Sequence, residues 1–351
     1  MSPAARAGGP GAARGAGAGS VVRPRFASRA LRDNPLGDPH EREVVVYLPP
    51  GYDAPAHRGR RYPVVFVLAG FTGRGSMLLN AGAWNEGFDR RLDRLIGAGK
   101  VRPLIAVLPD CFTRLGGSQY LDSAATGRYE TYLVRELVPW VDREFRTLPG
   151  PRHRAVMGKS SGGYGAMVQA MKHPGVFGSV AAHSGDAAFE YCYFPDFPRC
   201  LDQLRIHGGV RGFLRAFERA PKKTMALMQA LNVLAMASCY SPDPRARETL
   251  GIDLPFDLET GAVRPEVWRR WLAHDPVRMA ARHVRNLRRL RCVFLDCGLR
   301  DEFNLHWGAR ILARELTRLG VRHVHEEFDD GHMDIAYRFD VSLPLLSRHL
   351  G

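Results

Sequence analysis

A five-residue segment, Gly158-Lys159-Ser160-Ser161-Gly162, constrains the fold more than any other part of the sequence. It follows the short apolar run Arg154–Met157, which we predict to be a strand, and it precedes a glycine-rich helical pattern. A turn this tight between a strand and a helix leaves little room for side chains beside it, so the neighbouring positions require glycine. The segment is therefore predicted to hold the Ser160 side chain at the carboxyl edge of a sheet.

Strand and helix patterns alternate on both sides of this turn. Apolar runs rich in β-branched residues predict buried strands, and apolar residues at helical spacing predict helices between them. The predicted strands cover residues 44–48, 62–68, 104–108, 154–157, 179–182, 292–296 and 321–328, and the predicted helices cover 88 to about 97, 129–145 and 305–319. This alternation favours an α/β fold with a mostly parallel central sheet flanked by helices.

Two stretches depart from the alternation. Residues 187–288 contain aromatic loop residues, Pro-rich connections and a Met-rich apolar helix pattern over 223–237, which together predict an inserted helical cap. Fifteen of the first 20 residues are Ala, Gly or Pro. Such a segment has almost nothing to bury, so residues 1–20 are expected to be a disordered tail. Residues 21–351 are then the main domain with its cap.

Composition and charge argue against several classes of function. The longest apolar runs fall short of the ~20 residues that a bilayer-spanning helix needs. The N-terminal segment lacks the apolar stretch of a secretory signal, so a cytoplasmic location is expected. The net charge of +14 comes without a nucleic-acid-binding motif, so no nucleic-acid partner is expected.

The cysteines and histidines do not predict a metal site. No Cys/His group has the spacing of zinc ligands, and no cofactor is expected. The six cysteines are expected to be reduced in a chain without an export signal. A Cys192–Cys200 disulfide is the alternative if the protein is exported.

Three side chains fit the roles of nucleophile, base and acid. A serine hydroxyl attacks well only when a base removes its proton, and after a turn of this kind the chain order is serine, acid, histidine. Ser160 is the predicted nucleophile, and His332, in the loop after the last strand, is the predicted base. Asp301, after the penultimate strand, is the predicted acid, and Asp296 and Glu302 are its competitors.

Other residues are predicted to assist. The backbone amides of Ser161 and Phe71 are positioned in the sequence to form an oxyanion hole, one after the nucleophile and one in the loop after strand 62–68. Four side chains are candidates for a substrate pocket, with ordinary packing as the alternative for the three aromatic ones: Trp84, Tyr120, Glu190 and Tyr191.

Several segments together resemble the putative-esterase family, which includes S-formylglutathione hydrolases, enterochelin-esterase-like enzymes, feruloyl esterases and mycolyltransferases. They are Tyr47–Tyr52, Tyr62–Gly70, Gly158–Ala166, His173-Pro174, Phe177-Gly178, Ser184-Gly185, Cys297–Asp301 and Gly331-His332. The resemblance implies an α/β-hydrolase fold, a triad of Ser160, Asp301 and His332, and amides contributed by Phe71 and Ser161. The sequence departs from many relatives at Lys159, where they carry His or a small residue.

The expected function is hydrolysis of a small-molecule carboxylic ester or thioester through an acyl-serine intermediate. The same triad would serve an acyltransferase, and the same fold could serve as a non-catalytic binding protein. Peptidase activity is a weaker alternative. The sequence leaves the oligomeric state open, a homodimer included.

Overall fold

The structure is a computed structural model that describes residues 17–351. Most of the predicted N-terminal tail, residues 1–16, therefore lies outside the described residues. The boundary of that tail differs from the prediction, because Ser20 already begins the first strand.

A nine-stranded sheet runs through the centre of the described part of the chain, in the order β1-β3-β5-β4-β8-β9-β10-β11, with β2 paired to β3. A separate ribbon is formed by β6 and β7. The strands are β1 (Ser20–Val22), β2 (Arg25–Ala27), β3 (Glu41–Leu48), β4 (Val64–Leu68), β5 (Ile105–Pro109), β6 (Asp122–Ser123), β7 (Gly127–Arg128), β8 (Arg154–Lys159), β9 (Ser179–His183), β10 (Cys292–Gly298) and β11 (Val324–Phe328).

Strand direction places the predicted catalytic residues at one edge of the sheet. β3 is antiparallel to β1, β2 and β5. All neighbours from β5 through β4, β8, β9 and β10 to β11 are parallel. Their carboxyl ends therefore meet at one edge, where ligands bind in open α/β sheets.

Helices cover both faces of the sheet, as predicted. They are α1 (Phe88–Gly97), α2 (Tyr129–Thr131), α3 (Val138–Glu144), α4 (Ser161–Lys172), α5 (Phe189–Cys192), α6 (Phe197–Ile206), α7 (Val210–Arg219), α8 (Met225–Tyr240), α9 (Pro265–Leu272), α10 (Pro276–Arg282), α11 (Val284–Leu287), α12 (Leu305–Arg318) and α13 (Phe339–His349). None of these combines the length and apolarity needed to span a bilayer.

The single helix predicted over residues 129–145 is divided by a π-helical turn, Tyr132–Leu137, between α2 and α3. Pro139 lies at the start of α3 and has no amide hydrogen to donate to the preceding turn. The helix widens just before this proline because a regular α-helical hydrogen bond is unavailable there.

Two apolar clusters enclose the sheet. Alternate residues of β4 belong to different clusters. Val64 and Phe66 belong to the cluster that includes α4 and the cap helices. Val65 and Val67 belong to the cluster that includes α1 and α13. A strand buried on both faces should be apolar at every position, and β4 is. Between β9 and β10 the chain forms α5 to α11, whose apolar residues join the first cluster and make the cap continuous with the core.

One contact between the main fold and the start of the cap gives a test of packing. A Cβ added at Gly308 in α12 would lie 2.2 Å from the backbone oxygen of Ala187. We expect Gly308→Ala to lower the free energy of unfolding by about 1–3 kcal/mol, because a packed backbone must shift. Gly97, in the exposed last turn of α1, has no atom within 4 Å of such a Cβ. Gly97→Ala is the control and should leave stability unchanged or raise it by up to ~1 kcal/mol in urea denaturation. Equal changes in the free energy of unfolding for the two variants would contradict the close contact between Gly308 and Ala187.

Candidate active site

Ser160 lies at a strained turn between β8 and α4. Its φ of 59° and ψ of −130° are outside the usual regions for a residue other than glycine. The turn is close to the neighbouring backbone, since a Cβ at Gly162 would lie 2.1 Å from the Leu68 oxygen and one at Gly158 would lie 2.4 Å from the Gly162 oxygen. The Ser160 amide donates to the His183 carbonyl at 2.9 Å. The glycine requirement inferred from the sequence thus has a direct steric cause.

Asp301 and His332 meet in the loops after β10 and β11. Nδ1 of His332 lies 2.8 Å from Oδ2 of Asp301, and the two residues are only 4% and 3% exposed. The Phe303 ring packs edge-on against the imidazole, with the ring centroids 4.8 Å apart. This contact fixes the imidazole plane beside the carboxyl edge of the sheet.

The surroundings of Asp301 favour its ionised form. Burial by itself raises the pKa of this carboxyl, but the hydrogen bond and charge of His332 and the amides of Phe303 and Leu305 lower it below the ordinary value overall. An ionised carboxylate only accepts hydrogen bonds, so Nδ1 of His332 is the protonated nitrogen in this pair. In the neutral imidazole, Nε2 is then the unprotonated nitrogen, which a general base requires.

The two competing acids have other partners. Asp296 is buried in β10, where Oδ1 lies 2.7 Å from Nδ1 of His183 and Oδ2 accepts from Nε of Arg338 at 2.8 Å. Nε2 of His183 lies 2.8 Å from the Ser342 hydroxyl. Asp296 therefore connects His183, at the end of β9, to Arg338, in the segment after the His332 loop.

Glu302 contacts the backbone of the histidine loop and not its imidazole. Its Oε2 accepts from the His332 amide at 2.7 Å. A Cβ at Gly331 would lie 2.6 Å from Oε1 of the same carboxylate. Glu302 thus holds the loop that carries His332.

The loop after β4 lies against Ser160. A Cβ at Gly70 would lie 3.3 Å from Cβ of Ser160. Among the described residues, the Phe71 amide has neither a backbone nor a side-chain acceptor. Ser161 is the first residue of α4, where helix amides have no partner within the helix. The Ser161 amide thus directly follows the serine, and the Phe71 amide follows the residue that approaches it most closely in this loop.

The four pocket candidates have different surroundings. Trp84 is 96% exposed, and Tyr191 is 49% exposed with its ring 6.4 Å from that of Trp307. Glu190 forms an ion pair with Arg278 at 2.6 Å. Tyr120 is buried, and its hydroxyl donates to the Ala69 carbonyl at 2.6 Å, directly before the loop that holds Phe71.

A buried carboxyl that sequence reasoning missed lies next to Ser161. Oδ2 of Asp186 accepts from Nε2 of Gln119 at 3.1 Å and from the Tyr193 hydroxyl at 3.0 Å, and it lies 3.5 Å from Oγ of Ser161. Burial raises the pKa of this carboxyl, which the two donors only partly offset. Its position directly after Ser184-Gly185 was the available signal, but a lone aspartate after a glycine is common in loops.

Lys159 has an unusual environment for a lysine. It is half-buried at the end of β8, and burial lowers its pKa. The nearby charges of Asp301, Asp334 and Glu302 act in the opposite direction. Lys159 therefore lies within electrostatic range of the carboxylate that pairs with His332.

Residues other than glycine that have a left-handed backbone conformation are concentrated around this edge of the sheet. Ten residues other than glycine have positive φ in the described chain. Eight of them lie in the loops described above or beside them: Thr72, Gln119, Tyr120, Ser160, Ser184, Ala188, Asn304 and Asp334. Such conformations cost of order 1–3 kcal/mol each and persist only where the surrounding contacts hold them.

No group of three or more metal-ligating side chains occurs among residues 17–351. All six cysteines are buried and free, including Cys192 and Cys200.

A parallel sheet with a strained serine between a strand and a helix, and an Asp–His pair after the last two strands, defines an α/β-hydrolase fold. The chain belongs to the putative esterase family, whose model matches residues 39–343. It is 34% identical over 169 residues to an esterase of Mycobacterium tuberculosis, covering 47% of this chain and 32% of that protein. The chain thus spans about a third of the length of this curated relative.

Solved structures agree on the fold. A ferulic acid esterase superimposes with a TM-score of 0.62 at 19% identity, covering 95% of this chain and 99% of that one. An S-formylglutathione hydrolase from Agrobacterium tumefaciens gives a TM-score of 0.59 at 18% identity, covering 96% and 98%. The predicted family and fold class are confirmed.

The position of Asp296 leads to a stability test. Asp296→Ala would leave Arg338 without its buried partner, and we expect it to lower the free energy of unfolding by about 3–5 kcal/mol. Glu326 pairs with the same guanidinium from a more exposed position. Glu326→Gln is the matched control and should cost at most ~1 kcal/mol. Urea denaturation would measure both variants, and similar losses would contradict the buried role of Asp296.

Proposed function

We propose that this chain is a serine hydrolase that cleaves a carboxylic ester or thioester of a small molecule, with Ser160 as nucleophile, His332 as base and Asp301 as acid. The observation that carries the proposal is the buried hydrogen bond between Nδ1 of His332 and Asp301, at the sheet edge where Ser160 is held at positive φ. Membership in the putative esterase family supports the same reaction class.

In the first half of the reaction, Oγ of Ser160 attacks the acyl carbonyl carbon while Nε2 of His332 takes its proton. Asp301 stays ionised and stabilises the imidazolium that forms. The tetrahedral intermediate collapses when the imidazolium protonates the leaving oxygen or sulfur, and an acyl-serine remains.

In the second half, His332 removes a proton from water, which attacks the acyl-serine. The collapse of the second tetrahedral intermediate returns the proton to Ser160 and releases the acid. At both stages the negative charge develops on the former carbonyl oxygen. The amides of Phe71 and Ser161 are the donors we assign to this oxygen, and the α4 N-terminus adds a favourable dipole.

Replacement of the nucleophile gives the most direct test. Ser160→Ala should abolish hydrolysis of short p-nitrophenyl esters and labelling by a fluorophosphonate probe, because no hydroxyl remains to attack. Ser179→Ala is the control, since Ser179 is buried in the adjacent strand β9 and its hydroxyl has no hydrogen-bond partner among the described residues. Circular dichroism would establish that both variants fold. Turnover retained by Ser160→Ala would refute the proposal.

The two neighbouring acids provide a second test. Asp301→Asn should lower kcat by about 10³–10⁴-fold, because an amide in this position can hold the imidazole in the wrong tautomer. Glu302→Gln leaves an oxygen to accept from the His332 amide and should lower kcat far less. Steady-state kinetics with one p-nitrophenyl ester would compare them. A larger loss in Glu302→Gln would transfer the role of acid to Glu302.

A further inference from the structure

We propose that Tyr120 is a positioning residue for the oxyanion hole, acting through its hydrogen bond to the Ala69 carbonyl; this inference rests on the proposed function. Ala69 and Gly70 connect β4 to Phe71, whose amide we assign to the oxyanion. Tyr120 does not touch the reacting atoms in this assignment. It fixes the chain from which one of the two donors projects.

The loop 69–73 is held at several points, and Tyr120 provides the side-chain hydrogen bond among them. The Tyr120 hydroxyl donates to the Ala69 oxygen at 2.6 Å. The Thr72 amide donates to the Gly116 carbonyl at 2.8 Å, and the Gly73 amide donates to the Gly70 carbonyl at 2.9 Å. The Phe71 amide, between these anchored groups, is left without an acceptor among the described residues. This pattern anchors the loop on both sides of Phe71 and leaves the Phe71 amide available.

The Tyr120 ring itself is held on the helix that follows the nucleophile. A Cβ at Gly165 in α4 would lie 2.2 Å from Cδ2 of Tyr120, so glycine is what allows the ring to lie on the helix. Nε2 of Gln169, also in α4, donates to the Tyr120 carbonyl at 2.7 Å. The ring thus links the two elements that carry the proposed donors, because α4 begins with Ser161.

The backbone at Tyr120 is strained, and the strain is maintained by specific contacts. Gln119 and Tyr120 are consecutive residues with φ of 48° and 56°. Nε2 of Gln119 donates to Asp186 at 3.1 Å and to the Tyr240 hydroxyl of α8 at 2.8 Å. Two left-handed residues in succession are costly without glycine. The contacts that maintain these two conformations also orient the Tyr120 hydroxyl toward the Ala69 carbonyl.

The phenol remains a donor throughout the working pH range. Burial raises the pKa of Tyr120 well above its ordinary value, and this outweighs the opposing effect of the hydrogen bond to Ala69. The phenol is therefore protonated at neutral pH and donates to the Ala69 carbonyl there.

The test is Tyr120→Phe with Tyr132→Phe as matched control. Both tyrosines are buried, but the Tyr132 hydroxyl has no hydrogen-bond partner among the described residues. Complete loss of one oxyanion donor costs about 10²–10³-fold in kcat, so a displaced donor in Tyr120→Phe should cost at least about tenfold. KM should change less than about twofold, because the interaction is made in the transition state.

The rate of fluorophosphonate labelling should fall together with kcat, and Tyr132→Phe should match the wild type in both. Equal kcat values for the two variants, or a loss confined to KM, would overturn the role of Tyr120. If Tyr120→Phe does not fold, Gln169→Leu decides by the same criteria, because it removes the hydrogen bond that holds the Tyr120 backbone and so shifts the hydroxyl that donates to Ala69.

Hydrolysis and probe labelling by the wild type, with Ser160→Ala as the reference for reaction at Ser160, distinguish a failure of this inference from a failure of the proposed function. A wild type that neither hydrolyses esters nor reacts with the probe would refute the proposed function itself. A wild type that reacts at Ser160, with Tyr120→Phe equally fast, would refute only the positioning role.

Discussion

The contact between the first turn of α4 and the end of β4 is the constraint on which the rest of this site depends. Gly162 and Leu68 meet backbone to backbone, so close that a single methyl group at residue 162 would overlap the Leu68 oxygen. This approach sets the turn at Ser160 and places the start of α4 beside the loop that follows β4. This packing contact therefore brings together the elements that carry the proposed nucleophile and both proposed amide donors.

Two aspartates from adjacent parts of the chain have different roles because they face different partners. Asp296 lies within β10 and neutralises Arg338 while it orients His183, whose carbonyl accepts from the Ser160 amide. Asp301 lies beyond the strand end and faces His332. One carboxylate thus supports the turn that presents the serine, and the other orients the imidazole we propose as its base.

The cap contributes to the site through buried polar groups as well as apolar packing. Tyr193 and Tyr240 bring hydroxyls from the cap to Asp186 and Gln119, directly beneath the start of α4. A buried carboxyl without such donors would be costly. The cap and the carboxyl edge are thus coupled, because removing the cap would take the Tyr193 hydroxyl from Asp186 and the Tyr240 hydroxyl from the strained Gln119.

Much of this protein was determined by the sequence itself. The apolar strand runs, the helical spacing and the glycines around Ser160 act over short distances, so they predicted the central strands of the α/β sheet, several of its flanking helices and the serine turn. Chain order also pointed to His332 and Asp301, which the structure brings together. The cap was visible as a break in the alternation.

Only the tertiary structure decided which groups meet across long separations in the chain. Asp296, Asp301 and Glu302 lie close together in the sequence, and the structure separates their roles: Asp296 faces His183, Asp301 faces His332 and Glu302 faces the backbone of the histidine loop. Trp84, predicted beside the pocket, is instead almost fully exposed, whereas Tyr120 is buried against α4. These differences depend on side-chain direction and packing, which local patterns do not encode.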